Sequence, residues 1–257
     1  MGIKGWFMLP EAAALASLDD QAAVAVHAEI IRRKPFLKRL YRDVYLGFRR
    51  DLPDAADARV VELGSGGGFI KEVIPRAITS DIRRIPGVDM RFSALEMPFA
   101  AGTLDALLLF DVFHHLPDAE RFLREADRCL KTGGRLLMTE PANTLWGRFI
   151  WQNFHHEPFR PASGWRFAAA GPMSSANGAL AWIIFCRDRE RFQARFPALK
   201  IRRLRPYMPL RYIISGGVSL RQLLPGGAYP LVSCAERLLS PLDGVLGMFY
   251  DIVIEKS

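Results

Sequence analysis

The stretch Val60-Val61-Glu62-Leu63-Gly64-Ser65-Gly66-Gly67-Gly68-Phe69 decides how the rest of the chain reads. Arg59 to Leu63 is rich in β-branched apolar residues and predicts a short buried strand. Glycines at 64, 66 and 68 predict a tight turn whose backbone angles only glycine adopts cheaply, and over which a ligand can lie directly on the main chain. Glu62 falls at the strand end, where open α/β sheets bind their ligands. A dinucleotide fingerprint, G-x-G-x-x-G, wants a small residue at position 69, and Phe69 stands there instead.

Outward from the loop, strands and helices alternate. Ala77 to Asp81 predicts a second strand ending in a carboxylate, 19 residues after Glu62 and close to the roughly 20 expected for an acid that grips ribose hydroxyls. Ile82 to Met90 contains Pro86 and Gly87 and has no helical period, so a loop replaces the usual helix before a third strand at Met90 to Ser93. Met97-Pro98-Phe99 leads to an apolar fourth strand, Ala106 to Phe110. Asp111 to Asp118 leaves that strand and enters a helix capped by Asp118, with Ala119, Phe122, Leu123, Ala126 and Leu130 on one face. Arg135 to Thr139 predicts strand five. Such alternation argues for a doubly wound α/β sheet.

The pattern Glu62-x-Gly64-x-Gly66-x-Gly68 resembles motif I of the class I S-adenosylmethionine (SAM)-dependent methyltransferases. Asp81, the Met97-Pro98-Phe99 segment and His114-His115-Leu116-Pro117-Asp118 follow in the order of that superfamily, over about residues 55–140. His155-His156-Glu157-Pro158 and Ser215-Gly216-Gly217-Val218-Ser219 look like a bacterial subgroup whose acceptors are not characterised. The resemblance implies a Rossmann-like seven-stranded sheet and SAM as cofactor. It places cofactor contacts at Glu62, Gly64, Ser65, Gly66, Gly68, Asp81, Ile82, Ser93, Ala94 and Phe110. One departure is notable: the aspartate that often meets the adenine amino group falls at Ser93, whose hydroxyl accepts more weakly.

The flanks complete a single methyltransferase domain over 1–257. Two N-terminal helices occupy 1–54: Leu15, Leu18, Ala22, Val26 and Ile30 give a helical face before Pro35, and Leu37, Leu40, Tyr41, Val44, Tyr45 and Phe48 another after it. They are expected to pack on the sheet and partly close the cofactor side. Residues 55–140 form the SAM-binding core, 141–178 an irregular cap after strand five, and 206–240 a second insertion. Residues 179–205 and 241–257 complete the sheet, with a helix at Ala176 to Phe196, a strand at Leu199 to Leu204, and a last strand at Tyr250 to Glu255 expected antiparallel at the sheet edge.

No apolar run reaches the 18 residues of a spanning helix, and Glu11 interrupts the segment where a signal peptide would lie. Cys129, Cys186 and Cys234 form neither a disulfide framework nor a zinc pattern, so the expected location is the cytoplasm. Net charge is +8, carried entirely by residues 159–257 with 14 Lys/Arg against 6 Asp/Glu. That half is expected to meet something anionic. Arg203, Arg205, Arg211 and Arg221, with the Gly216-Gly217 turn, suggest a phosphate or carboxylate grip, with Arg211 and Arg221 the chosen pair. Interleaved Tyr207, Leu210 and Leu224 also suit the inner face of an anionic membrane.

Methyl transfer from a sulfonium requires an aligned nucleophile and, for a hydroxyl, a base. The candidates are His114 with His155 or His156 in the acceptor pocket, and Phe110, Phe113 or Trp146 as aromatic faces for the sulfonium. Adjacent histidines point apart in this reading, so no metal is expected. The acceptor expected is a small molecule, a lipid-linked compound or a glycan, methylated on oxygen. The alternatives are an RNA methyltransferase and a non-catalytic SAM-fold binding protein. Phe110-Asp111-Val112-Phe113 is not the N/D-P-P-Y/F motif of base amino methylation, no Pro-Cys nucleophile occurs, and the intact Glu62 loop opposes loss of the cofactor.

Overall fold

Val60–Leu63, buried along its whole length, forms β1 at the middle of a seven-stranded sheet. The computed structural model describes residues 7–15, 19, 21–55, 57–169, 171 and 173–257; Leu18 of the first expected helix lies outside them. The strands run in the order β3 (Met90–Arg91), β2 (Ile78–Asp81), β1, β4 (Leu104–Phe110), β5 (Leu130–Pro141), β7 (Phe249–Lys256), β6 (Leu199–Tyr207). The first five are parallel, and β7 runs antiparallel to both β5 and β6. Parallel strands covered on both faces need continuous apolar runs, and Ala106 to Leu109 supplies one that is fully buried.

Helices α1 (Pro10–Ala13), α2 (Gln21–Arg33) and α3 (Pro35–Asp51) precede β1. Pro35 opens α3 because a first helical residue needs no N–H donor, and Phe36, Leu37, Leu40, Val44, Tyr45 and Phe48 are its buried residues. No helix links β2 to β3, as the Pro86-Gly87 loop predicts. Asp118 caps α4 (Ala119–Cys129) by accepting the Arg121 N–H at 2.9 Å.

Three expectations change. The cap after β5 is not irregular throughout: α5 (Leu145–Asn153) is capped by Thr144, whose hydroxyl accepts the Gly147 N–H. The helix expected from Ala176 to Phe196 is broken into α6 (Leu180–Trp182), a π-helical stretch Ile183–Arg187 and α7 (Arg189–Arg195). There the Asp188 N–H reaches back five residues to the Ile183 carbonyl, while its carboxylate accepts from the Trp165 indole. The last strand is not at the edge but between β5 and β6, with Ile252, Val253 and Ile254 buried. The second insertion contains α8 (Arg211–Ser215) and α9 (Tyr229–Leu239), and α10 (Asp243–Leu246) follows it before β7. Among the described residues no helix is long and apolar enough to cross a membrane.

Candidate active site

The carboxyl ends of β1, β2 and β4 open into one cavity of about 990 Å³, roofed by α2, α5 and the segment after α8. Such a volume lies at the upper end of the ~300–1,000 Å³ usual for small-molecule sites, enough for a cofactor and a second ligand. It has two chemically distinct ends.

At the first end, Gly64 (φ +68°) and Gly66 (φ +50°) take left-handed angles that turn the chain sharply out of β1. Glu62 is buried behind this turn, with Oε2 lacking any hydrogen-bond partner. Burial pushes its carboxyl up to about 7, against the opposing pull of the Ser65 hydroxyl. An orphaned buried acid beside a bare turn calls for a ligand that donates hydrogen bonds. Asp81, at the end of β2, accepts the Gly66 N–H at 3.1 Å and is held by Arg83, whose backbone N–H and Nε lie 2.9 and 3.1 Å from Oδ1. The guanidinium supplies donors where ribose hydroxyls would supply theirs. Ile82, Ser93, Ala94 and Phe110 line the same end; the Ser93 hydroxyl accepts the Leu95 N–H at 3.2 Å. These residues fit an adenosyl cofactor: two acids, an open main-chain turn and apolar walls.

At the second end, side chains meet from distant segments. Glu140, fully buried at the end of β5, accepts the N–H groups of Val112 and Phe113 at 2.8 Å each. Its other oxygen lies 2.7 Å from His114 Nδ1. His114 Nε2 lies 3.1 Å from Glu157 Oε2, and His115 Nε2 lies 3.3 Å from Glu157 Oε1. Burial disfavours charge on His114, but Glu140 and Glu157 outweigh it and hold the imidazole well above its usual range. Burial likewise opposes charge on Glu157, yet His114 and His115 keep it well below the carboxylate range. His155 Nδ1 accepts the Glu157 N–H at 3.3 Å, and burial lowers this imidazole to about 4.

Asp111 joins the two ends. It leaves β4 at φ +59°, a conformation costly for a residue with a side chain, and it lines the cavity. Burial raises it to about 7, with His114 pulling the other way. Trp146, Ile150, Trp151, Phe154 and Tyr212 form the apolar wall opposite.

Several predicted residues lie elsewhere than expected. His114 does not line the cavity; it is sealed between Glu140 and Glu157, and His115 faces the cavity instead. His155 and His156 do line it. The paired histidines do not point apart: the His114 and His115 rings are 4.2 Å apart, and those of His155 and His156 are 4.6 Å apart. Phe113 is core, packed on Phe122 and Phe185, whereas Phe110 and Trp146 reach the cavity. Arg211 is no anion grip, because Glu236, Asp43 and the Tyr229 hydroxyl already surround its guanidinium. Arg203 is likewise paired with Asp51 and Asp251. The Gly216 N–H is used within the end of α8 and the Gly217 N–H by the Ser215 hydroxyl, so neither is offered to a ligand. Arg221 remains at the cavity wall. The sequence places His115 beside His114 and Glu157 beside His155 and His156 but does not join the two groups, and it gives no role to Asp111 or Glu140, for which acids at strand ends were the available signal.

Residues 61–138 match a protein family described as a methyltransferase domain. The chain is 31% identical over 114 residues to the ubiquinone biosynthesis O-methyltransferase of Xanthomonas oryzae pv. oryzae, covering 37% of this chain and 46% of that protein. It is 43% identical over 54 residues to the sarcosine/dimethylglycine N-methyltransferase of Halorhodospira halochloris, covering 21% and 19%. The chain thus spans less than half the length of these curated relatives. Geranyl diphosphate C-methyltransferase from Streptomyces coelicolor A3(2) shares the fold with a TM-score of 0.53 at 16% identity, over 86% of this chain and 82% of that one.

Proposed function

We propose that this chain, which carries a class I SAM-dependent methyltransferase domain, moves the methyl group of SAM to an oxygen of a small-molecule, lipid-linked or glycan-type acceptor. The observation that carries this reading is the single cavity joining the Glu62–Asp81 end to the His115–Glu157 end. Bound SAM supplies an electrophilic methyl group on a sulfonium. Glu62 would hold the cationic ammonium of the cofactor, and Asp81 would hold its ribose hydroxyls in place of the Arg83 donors. Phe110 and Trp146 present ring faces to positive charge, worth about 0.5–2 kcal/mol.

Asp111 stands between the ends and is the proton acceptor for the attacking hydroxyl, chosen on position: it lines the cavity just beyond β4, next to Phe110. His155 offers Nε2–H to the acceptor oxygen, because its Nδ1 is engaged by the Glu157 N–H. The wall of Trp146, Ile150, Trp151 and Phe154 takes an apolar body, and Arg221 stands at the same cavity for an anionic group. Leu145 and Phe149, exposed on the helix that lines this wall, support an acceptor presented from a lipid surface. Incubation with methyl-labelled SAM and a fractionated bacterial extract tests the reading. Label is expected in the lipid, glycan or small-molecule fraction, released as a methoxyl group; label confined to RNA, or none despite SAM binding, overturns it.

A further inference from the structure

The hydrogen-bond partners around Glu157 leave two nitrogens in an awkward position. His114 Nδ1 faces Glu140, which accepts two backbone N–H groups and acts as an acceptor, so this nitrogen carries the hydrogen. His115 Nδ1 lies 3.1 Å from the Ser175 carbonyl oxygen, which can only accept, so it carries a hydrogen too. Both Nε2 atoms then face one carboxylate, at 3.1 and 3.3 Å. In neutral imidazoles those atoms bear lone pairs, and two lone pairs against a carboxylate repel. An electropositive centre between the nitrogens and the carboxylate removes that repulsion. Two added protons meet that need, and so does one divalent cation.

We propose that His114 Nε2, His115 Nε2 and Glu157 bind one divalent first-row transition ion whose open positions face the cavity. The three donor atoms lie within 4.8 Å of one another. Bonds of about 2.0–2.2 Å at tetrahedral angles separate ligand atoms by about 3.3 Å; each nitrogen lies 3.1 or 3.3 Å from one Glu157 oxygen, and all three donors fall within 4.8 Å. Two imidazoles and a carboxylate are the donor set of open iron, zinc and manganese centres, whereas magnesium prefers oxygen and water. Glu140 adds the outer support that metal-bound histidines usually have: a buried carboxylate on the far ring nitrogen, fixing tautomer and direction. His155 Nδ1 and His156 Nε2, each 3.7 Å from a Glu157 oxygen, complete a nitrogen-rich rim. A second grouping, Asp111, His114 and Glu140, shares His114 but uses an acid already engaged by backbone N–H groups. The role of the ion, to hold and acidify an acceptor hydroxyl, rests on the methyl-transfer reading; the site itself does not.

The test strips the purified chain of metal, then titrates it with Zn²⁺ by calorimetry and with Co²⁺ by visible absorption. One saturable equivalent is expected, with cobalt ligand-field bands that report nitrogen ligation. His115→Ala and Glu157→Gln should abolish those bands, and Glu140→Gln should weaken Zn²⁺ about 10–100-fold. His27→Ala removes the one histidine outside the cluster and should keep both signals. Circular dichroism and SAM affinity are measured for every variant; if His115→Ala does not fold, the isosteric Glu157→Gln carries the test. No saturable equivalent, or binding that survives both ligand substitutions, overturns the site. SAM binding and methyl transfer without metal binding would leave the proposed function standing and remove this inference. Tight metal binding without SAM binding would do the reverse.

Discussion

The two ends of the cavity are built by different means. At the glycine loop, the turn and its two acids come from one short stretch, Glu62 to Asp81. At the far end, His114, Glu140 and Glu157 arrive from three separate segments and meet through side chains, and His115 reaches the Ser175 carbonyl of a fourth. The family match stops at residue 138, just before Glu140. The matched stretch includes the glycine loop, Asp81, Asp111, His114 and His115, whereas Glu140 and Glu157 lie beyond it.

That contrast breaks first at Asp111. Asp111→Asn should lower turnover about 10²–10⁴-fold while SAM affinity stays within about twofold, since a proton acceptor acts on the chemical step and not on cofactor binding. Rates with labelled SAM and calorimetry on the same preparation check this; equal losses in both would place Asp111 in the cofactor end. Asp81→Ala should act in the opposite sense, weakening SAM by roughly ten- to a hundredfold through a lost charge-assisted contact of about 1.5–3 kcal/mol. Arg83→Ala serves as its partner experiment. By freeing Asp81 it should leave SAM affinity equal or tighter, and a loss as large as that of Asp81→Ala would mean that Arg83 itself binds the cofactor.

Glu62 gives the cofactor end a pH dependence. Burial raises its carboxyl to about 7, so the neutral form gains ground in the free chain below that point. An ammonium-bearing ligand binds the ionised form, so affinity should rise as pH rises through about 7 and be about tenfold weaker at about pH 6 than at about pH 8. Glu62→Gln should flatten the profile as followed by calorimetry. The smallest effect is expected at the cavity wall. Arg221→Ala should raise the acceptor KM by about two- to fivefold with unchanged melting temperature, the scale of one exposed charged contact. Arg211→Ala, by contrast, should lower the melting temperature, because Glu236 is left buried without its partner.

Legibility in the sequence followed the same division. The glycine spacing, Asp81 and the Asp118 cap are local signals, and each sits near its expected element. Strand order after β5 was harder, because a strand of Ile252, Val253 and Ile254 looks the same at an edge or between neighbours. Arg211 read as a free cation because Asp43, Glu236 and the guanidinium meet only in three dimensions. His114 and His115 misled for a related reason. Adjacent side chains diverge along an extended strand, but these two lie in a tight 3₁₀ turn, Phe113–His115, where both can reach one carboxylate.

The placement of β7 between β5 and β6 has a temporal consequence. Residues 199–207 find no lasting edge to join until residues 249–256 have been made and threaded into the gap. During synthesis the hydrophobic flank of β5 therefore stays open while more than a hundred later residues emerge, a window in which chaperone capture or aggregation competes with completion. A ribosome-stalled chain ending before residue 249 should resist protease at β1 to β4 and remain cleavable throughout β6.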